Sequence, residues 1–175
     1  MVRFSFLAIV FFLCVASSYA RTNFVDVQAI CKRSQNPSFC LTFLNSRPGG
    51  PGKDLGDLES YTLGVLHTDV SNTITLITKL IAQSGSDQKK LNHYSLCLNY
   101  FGDDGILGRV KRAQEQLKIS NYVGVNMFMG TIMNFTEDCV SRENIPIEDT
   151  SELPKNASAV NDIAEIIAIM SNMLT

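Results

Sequence analysis

Apolar and small residues recur from Leu55 to Ile81 at steps of three to five: Leu58, Thr62, Val65, Val70, Thr73, Ile77 and Leu80. That spacing predicts an amphipathic helix with one buried stripe. The glycine–proline cluster at 49–52 breaks the chain before it, and Ser84-Gly85-Ser86 ends it. A second helix is expected from about Asp87 to Lys118, with a stripe of Ile106, Val110, Ala113 and Leu117 in its latter half. Gly102, Gly105 and Gly108 interrupt it, each costing up to ~1 kcal/mol against alanine. Val125, Met129, Ile132, Thr136 and Cys139 align along a third helix from about Tyr122 to Arg142, closed by Ile145-Pro146. A fourth, from about Ser151 to Leu174, aligns Val160, Ile163, Ile167, Met170 and Leu174. Strand signals are few. Four amphipathic helices with short links predict an all-α fold, an antiparallel four-helix bundle. A helical solenoid would require a repeat of fixed period, and there is none.

Ahead of the bundle, "ICKRSQNPSFCLTFLN" places Cys31 and Cys40 nine positions apart. A metal site, a redox pair and a staple are all open until the compartment is known. The first twenty residues address it. Arg3 is followed by an apolar run from Phe4 to Val15, then small residues ending in Ser18-Tyr19-Ala20. This is the pattern of a cleaved secretory signal. The run is shorter than the ~20 residues of a membrane span, so an anchor is the weaker reading. Cleavage after Ala20 is expected, leaving residues 21–175 as one domain, with a hairpin and linker at 21–52 and the bundle at 53–175.

Cleavage changes the composition. Cys14 leaves, so five cysteines become four: Cys31, Cys40, Cys97 and Cys139. An even count in a secreted chain predicts two disulfides. In one straight helix, residues nine apart lie roughly 13 Å apart along the axis, at ~1.5 Å per residue. A disulfide needs Cα atoms within about 7 Å. Cys31 and Cys40 therefore pair only if the chain reverses, and Gln35-Asn36-Pro37 supplies the reversal, with Asn as cap and Pro in the first turn. The expected hairpin runs from Phe24 to Arg33 and from Pro37 to Asn45. Cys97 and Cys139 then pair by elimination. The mature chain carries 14 basic and 17 acidic residues, a net −3. With no long basic run, nucleic acid is not the expected partner.

Signatures of catalysis are missing. His67 and His93 are isolated in sequence, and there is no His-Glu-x-x-His, Gly-x-Ser-x-Gly or phosphate-binding glycine loop. "FGDDGILG" follows no strand and lacks calcium-loop spacing. The methionines of "MFMGTIM" read as core filler. No cofactor or metal is expected, and a binding role is favoured. Asn134-Phe135-Thr136 and Asn156-Ala157-Ser158 are glycosylation acceptors, and Asn134 falls about 200° from the core residue Ile132.

"ICKRSQNPSFCLTFLN", a cysteine in the second bundle helix, "GVNMFMGTIMNFTEDCV" and the terminal "IIAIMSNMLT" together resemble the plant invertase and pectin methylesterase inhibitors. The resemblance spans the mature chain. It implies a four-helix bundle with an N-terminal hairpin and the same two disulfides. Invertase inhibitors carry Pro-Lys-Phe ahead of the third bundle helix, where this chain has "LKISNYVGVN"; Pro154-Lys155-Asn156 precedes the fourth. The chain is therefore more similar to the branch that inhibits pectin methylesterase. The resemblance implies a secreted protein of the cell wall that covers the enzyme's substrate cleft in a one-to-one, non-covalent complex. Family contacts are largely polar residues of the second and third bundle helices. Asn126 matches one such position, Asp138 stands where the family commonly has Thr, and Asp103 and Asp104 are surrogates for its acidic run. Inhibition of invertase, storage without inhibition, and carriage of an apolar ligand in a methionine-lined cavity are the alternatives.

Overall fold

The structure, a computed structural model, describes residues 25–141 and 149–175. The expected signal segment at 1–20, Phe24 at the hairpin start, and Arg142 with Ile145-Pro146 lie outside the described residues.

Two short helices form the N-terminal hairpin: α1 (Val27–Cys31) and α2 (Pro37–Asn45). Asn36 Oδ1 accepts from the Phe39 amide at 3.3 Å, and Pro37 occupies the first turn. The reversal brings Cys31 and Cys40 to a Cα separation of 5.4 Å, and they are disulfide-bonded. The turn between them is fastened to the last helix. Ser34 Oγ donates to Glu165 Oε2 at 2.6 Å, and Asn36 Nδ2 donates to Asp162 Oδ2 at 3.0 Å.

Among the described residues, five helices build the bundle: α3 (Leu55–Gln83), α4 (Gln88–Phe101), α5 (Ile106–Lys118), α6 (Tyr122–Val140) and α7 (Leu153–Leu174). Around the bundle the order is α3, then α4 with α5, then α6, then α7, which closes back on α3. The expected stripes are the buried ones: Leu58, Val70 and Ile77 on α3, Val125, Met129 and Ile132 on α6, and Val160, Ile163 and Ile167 on α7. Thr62 and Thr73 fit that interior because each hydroxyl donates to a carbonyl four residues back, at 2.8 Å. Helix α7 meets α3, α6 and the hairpin. Its apolar surface is accordingly broad, and Ala164, Ile166 and Ile169 are buried beside the predicted stripe. Cys97 and Cys139 are disulfide-bonded at a Cα separation of 4.9 Å, tying α4 to α6.

The second expected helix is two helices. Glycine is required at their junction by close backbone approach. A Cβ on Gly105 would lie 1.9 Å from the Tyr100 carbonyl oxygen, and one on Gly108 would lie 1.9 Å from that of Asp103. The chain turns through 102–105, with the Gly105 amide donating to the Gly102 carbonyl at 2.9 Å. These glycines do more than weaken a continuous helix; they permit the break.

Candidate docking site

Helices α5 and α6 lie side by side, and side-chain contacts at both ends brace them. The Arg109 guanidinium sits 4.6 Å from the Phe135 ring centre on α6. The same guanidinium donates to the carbonyls of Asp104 and Gly105, clamping the helix break. Tyr100 completes the cluster, its ring 5.5 Å from that of Phe135. At the other end, Asn121 caps α6 by accepting from the Gly124 amide at 3.1 Å, and its Nδ2 donates to Gln116 Oε1. The two helices thus form a braced plate.

The outer side of that plate is apolar at one end. Ile119 is 70% exposed, Val123 54% and Met127 69%. Val123 and Met127 are one turn apart on α6, on the side away from the buried Val125–Met129–Ile132 stripe. Thr131 and the exposed Asn134 continue the same side. The reading of "MFMGTIM" as core filler holds for Met129, which is fully buried, and fails for Met127. The signal was present: residues two apart on a helix point about 200° apart, so only one of Met127 and Met129 can face the core.

The acidic candidates lie at the opposite end. Asp103 and Asp104 are exposed at the α4–α5 break, and Asp103 Oδ1 is paired with Lys111 Nζ at 2.7 Å. Arg109's contact with Phe135 sets that break level with the last turns of α6, which carry the half-buried Asp138. Asn126 is placed apart from all three. Its Nδ2 donates to the Ala168 carbonyl at 3.0 Å, so its amide holds α6 to α7. Asn134 is exposed on the plate, while Asn156 is half-buried on α7, beside Asp69 and Asn72 of α3.

Other polar groups serve the interior. His93 is buried with Nε2 3.4 Å from Asp149 Oδ2, and Tyr94 Oη donates to Asp149 Oδ1 at 3.1 Å. Burial opposes charge on Asp149, but the Ser151 amide and hydroxyl, Tyr94 and His93 together hold its carboxyl below the usual range. Among the described residues no group of three or more His, Cys, Asp or Glu is arranged to hold a metal, and no helix is long and apolar enough to cross a membrane. The recess of about 500 Å³ between the start of α3 and the end of α5 has a mixed lining, polar at Asp54, Asp57, Gln114 and Lys118 and apolar at Leu63 and Leu117.

Comparison with known proteins places this geometry. The family model for plant invertase/pectin methylesterase inhibitors matches residues 25–174. Pectinesterase inhibitor 1 of Arabidopsis thaliana is 26% identical over 167 residues, covering 95% of this chain and 92% of that protein. A pectinesterase inhibitor of Actinidia deliciosa is 24% identical over 148 residues, covering 85% and 78%. The fold matches a crystal structure of a mutant form of a pectin methylesterase inhibitor from Arabidopsis, with a TM-score of 0.76, 24% identity, and coverage of 85% of this chain and 97% of that one. A second crystal structure, of a pectin methylesterase inhibitor from Arabidopsis thaliana, matches with a TM-score of 0.62 and 26% identity over 85% and 95% of the chains. With the match running from before α1 to the last residue of α7, the chain belongs to the plant invertase/pectin methylesterase inhibitor family.

Proposed function

We propose that residues 21–175 form a secreted inhibitor of pectin methylesterase, acting outside the cell in the wall. The outer side of α5 and α6 covers the enzyme's substrate cleft in a one-to-one complex, without catalysis by the inhibitor, and so restrains de-esterification of pectin. The observation that carries this reading is the exposed run of Ile119, Val123 and Met127 on a braced pair of helices. Exposed apolar side chains rimmed by charge mark protein-binding surfaces, and a rigid plate loses little entropy on docking. Asp103, Asp104 and Asp138 supply a polar rim at the other end, while Asn126 acts through the α6–α7 contact rather than by touching the enzyme.

Esterase is favoured over invertase by the α5–α6 turn. It reads Lys118-Ile119-Ser120-Asn121, without Pro-Lys-Phe, and Pro154-Lys155 belongs to the first turn of α7. Titration of the purified secreted protein against plant pectin methylesterase and acid invertase tests the proposal. Loss of esterase activity at equimolar protein with invertase untouched is expected. Full esterase activity at equimolar protein would overturn it.

A further inference from the structure

The candidate glycosylation site Asn134 shares its side of α6 with Val123 and Met127. It follows Met127 by seven residues, two turns and roughly 10 Å along the axis. Its side chain is exposed. We infer that Asn134 carries an N-linked glycan in a fraction of the secreted molecules, and that this glycan and the target enzyme exclude one another from the α6 face. This rests on the docking site proposed above.

The fraction is set before folding. Transfer joins the Asn134 amide nitrogen to the anomeric carbon of a lipid-diphosphate-linked oligosaccharide. The carbon–oxygen bond to the diphosphate breaks, the lipid diphosphate departs, and one amide proton is lost. The acceptor motif needs Thr136 as well as Asn134. In the folded chain the two point to different sides of α6. Thr136 is buried, with its hydroxyl 2.7 Å from the Met133 carbonyl and 2.9 Å from Asn161 Oδ1. Folding therefore hides half of the motif. Molecules that complete α6 first escape the glycan and keep a free docking face; the others are covered by it.

Asn156 provides the contrast. It sits on the α3–α7 side, bordering a recess of about 230 Å³ shared with Asp69, Asn72 and Thr73. In the helix order of the bundle that seam is opposite the α5–α6 seam. A glycan there leaves docking free.

The test is secretion of the full chain from plant cells, intact mass of each glycoform after lectin separation, and inhibition of pectin methylesterase by each. Asn134→Gln and Asn156→Gln are compared with the parent; Thr136 is avoided because its hydroxyl holds α6 to α7. We expect the Asn134-glycosylated form to inhibit roughly tenfold or more weakly than the parent chain without sugar at Asn134, a difference of at least ~1.4 kcal/mol, and Asn156→Gln to match its parent glycoform. An Asn134-glycosylated form as potent as the parent chain without sugar there, or an Asn134 without sugar in every secreted molecule, would overturn the inference while leaving the inhibitory reading intact. Failure of the parent chain without sugar at Asn134 to inhibit would remove the inhibitory reading and this inference with it.

Discussion

Ser171 Oγ lies 2.5 Å from Glu59 Oε1 and 3.0 Å from the Ile167 carbonyl, all within the interior between α3 and α7. A hydroxyl has one proton. Shared between Glu59 Oε1 and the Ile167 carbonyl, it solvates a buried carboxylate only in part. Among the described residues, Glu59 Oε2 has no hydrogen-bond partner. Burial, opposed by the Ser171 bond, raises the Glu59 pKa from 4.5 to about 7. The consequence for stability has a definite sign. Below pH 4.5 both folded and unfolded chains hold the proton, and the contribution is fully present. As pH rises toward 7 the unfolded chain ionises first, and stability falls by a total on the order of 3 kcal/mol. Asp69 and Asp162, both raised chiefly by burial, act in the same direction. Urea unfolding at pH 4.5 and 7.5 should show a wild type more stable in acid, with a clearly smaller difference in Glu59→Gln. An equal pH difference in the two proteins would refute the assignment.

Met127 and Val123 are exposed, so replacing them leaves the core untouched. Met127→Asp and Val123→Asp should each change folding stability by no more than ~0.5 kcal/mol. In the complex, each would place an unpaired carboxylate against a desolvated surface. Inhibition of pectin methylesterase should weaken at least roughly tenfold. Thermal melts alongside inhibition curves separate the two effects. Unchanged inhibition by both variants would move the docking site elsewhere.

The helices were legible in the sequence because each buried stripe follows the period of its own helix. Leu58 to Ile77 on α3 and Val125 to Cys139 on α6 needed no knowledge of neighbours. What eluded the sequence depends on neighbours. The break at Gly105 arises from the proximity of the Tyr100 carbonyl, and the internal role of Asn126 arises from the Ala168 carbonyl on α7. Glu59 is buried because α7 covers it, and nothing in its local sequence marks it. The exposed apolar end of the α5–α6 surface lay between these cases: periodicity separates Met127 from Met129, but composition treats them alike.

The two disulfides differ in what they hold. Cys31–Cys40 closes nine residues of separation within the hairpin, and Cys97–Cys139 spans 42 and joins α4 to α6 behind the docking plate. In the chain-entropy account the short loop contributes about 2–3 kcal/mol and the long one about 4 kcal/mol. Paired substitution of Cys97 and Cys139 by Ala should therefore cost more in urea unfolding than the same change at Cys31 and Cys40. It should also loosen the plate and weaken inhibition. The hairpin pair should cost stability with less effect on inhibition, because the hairpin packs on α7, away from α5 and α6. The reverse order in both measurements would mean that the hairpin, rather than the plate, organises the docking face.

Two glycines test whether the helix break is built in. Gly64 is exposed in the middle of α3, and an added Cβ there meets nothing within 4 Å. Gly64→Ala should stabilise the protein by about 0.4–1 kcal/mol, because alanine restricts the unfolded chain and fits the helix. Gly105 is buried, and its Cβ would collide with backbone atoms, the Tyr100 carbonyl oxygen at 1.9 Å and its carbon at 2.6 Å. Backbone cannot swing aside as a side chain can. Gly105→Ala must displace the turn at 102–105 and with it the carbonyls that Arg109 grips, so a loss of several kcal/mol is expected, toward the upper end of the range for single substitutions. Inhibition by the Gly105→Ala protein that remains folded should fall as well, since Arg109 links this turn to Phe135 on the docking plate. Equal and mild effects of the two substitutions on unfolding would show that α4 and α5 can join without a glycine at the break.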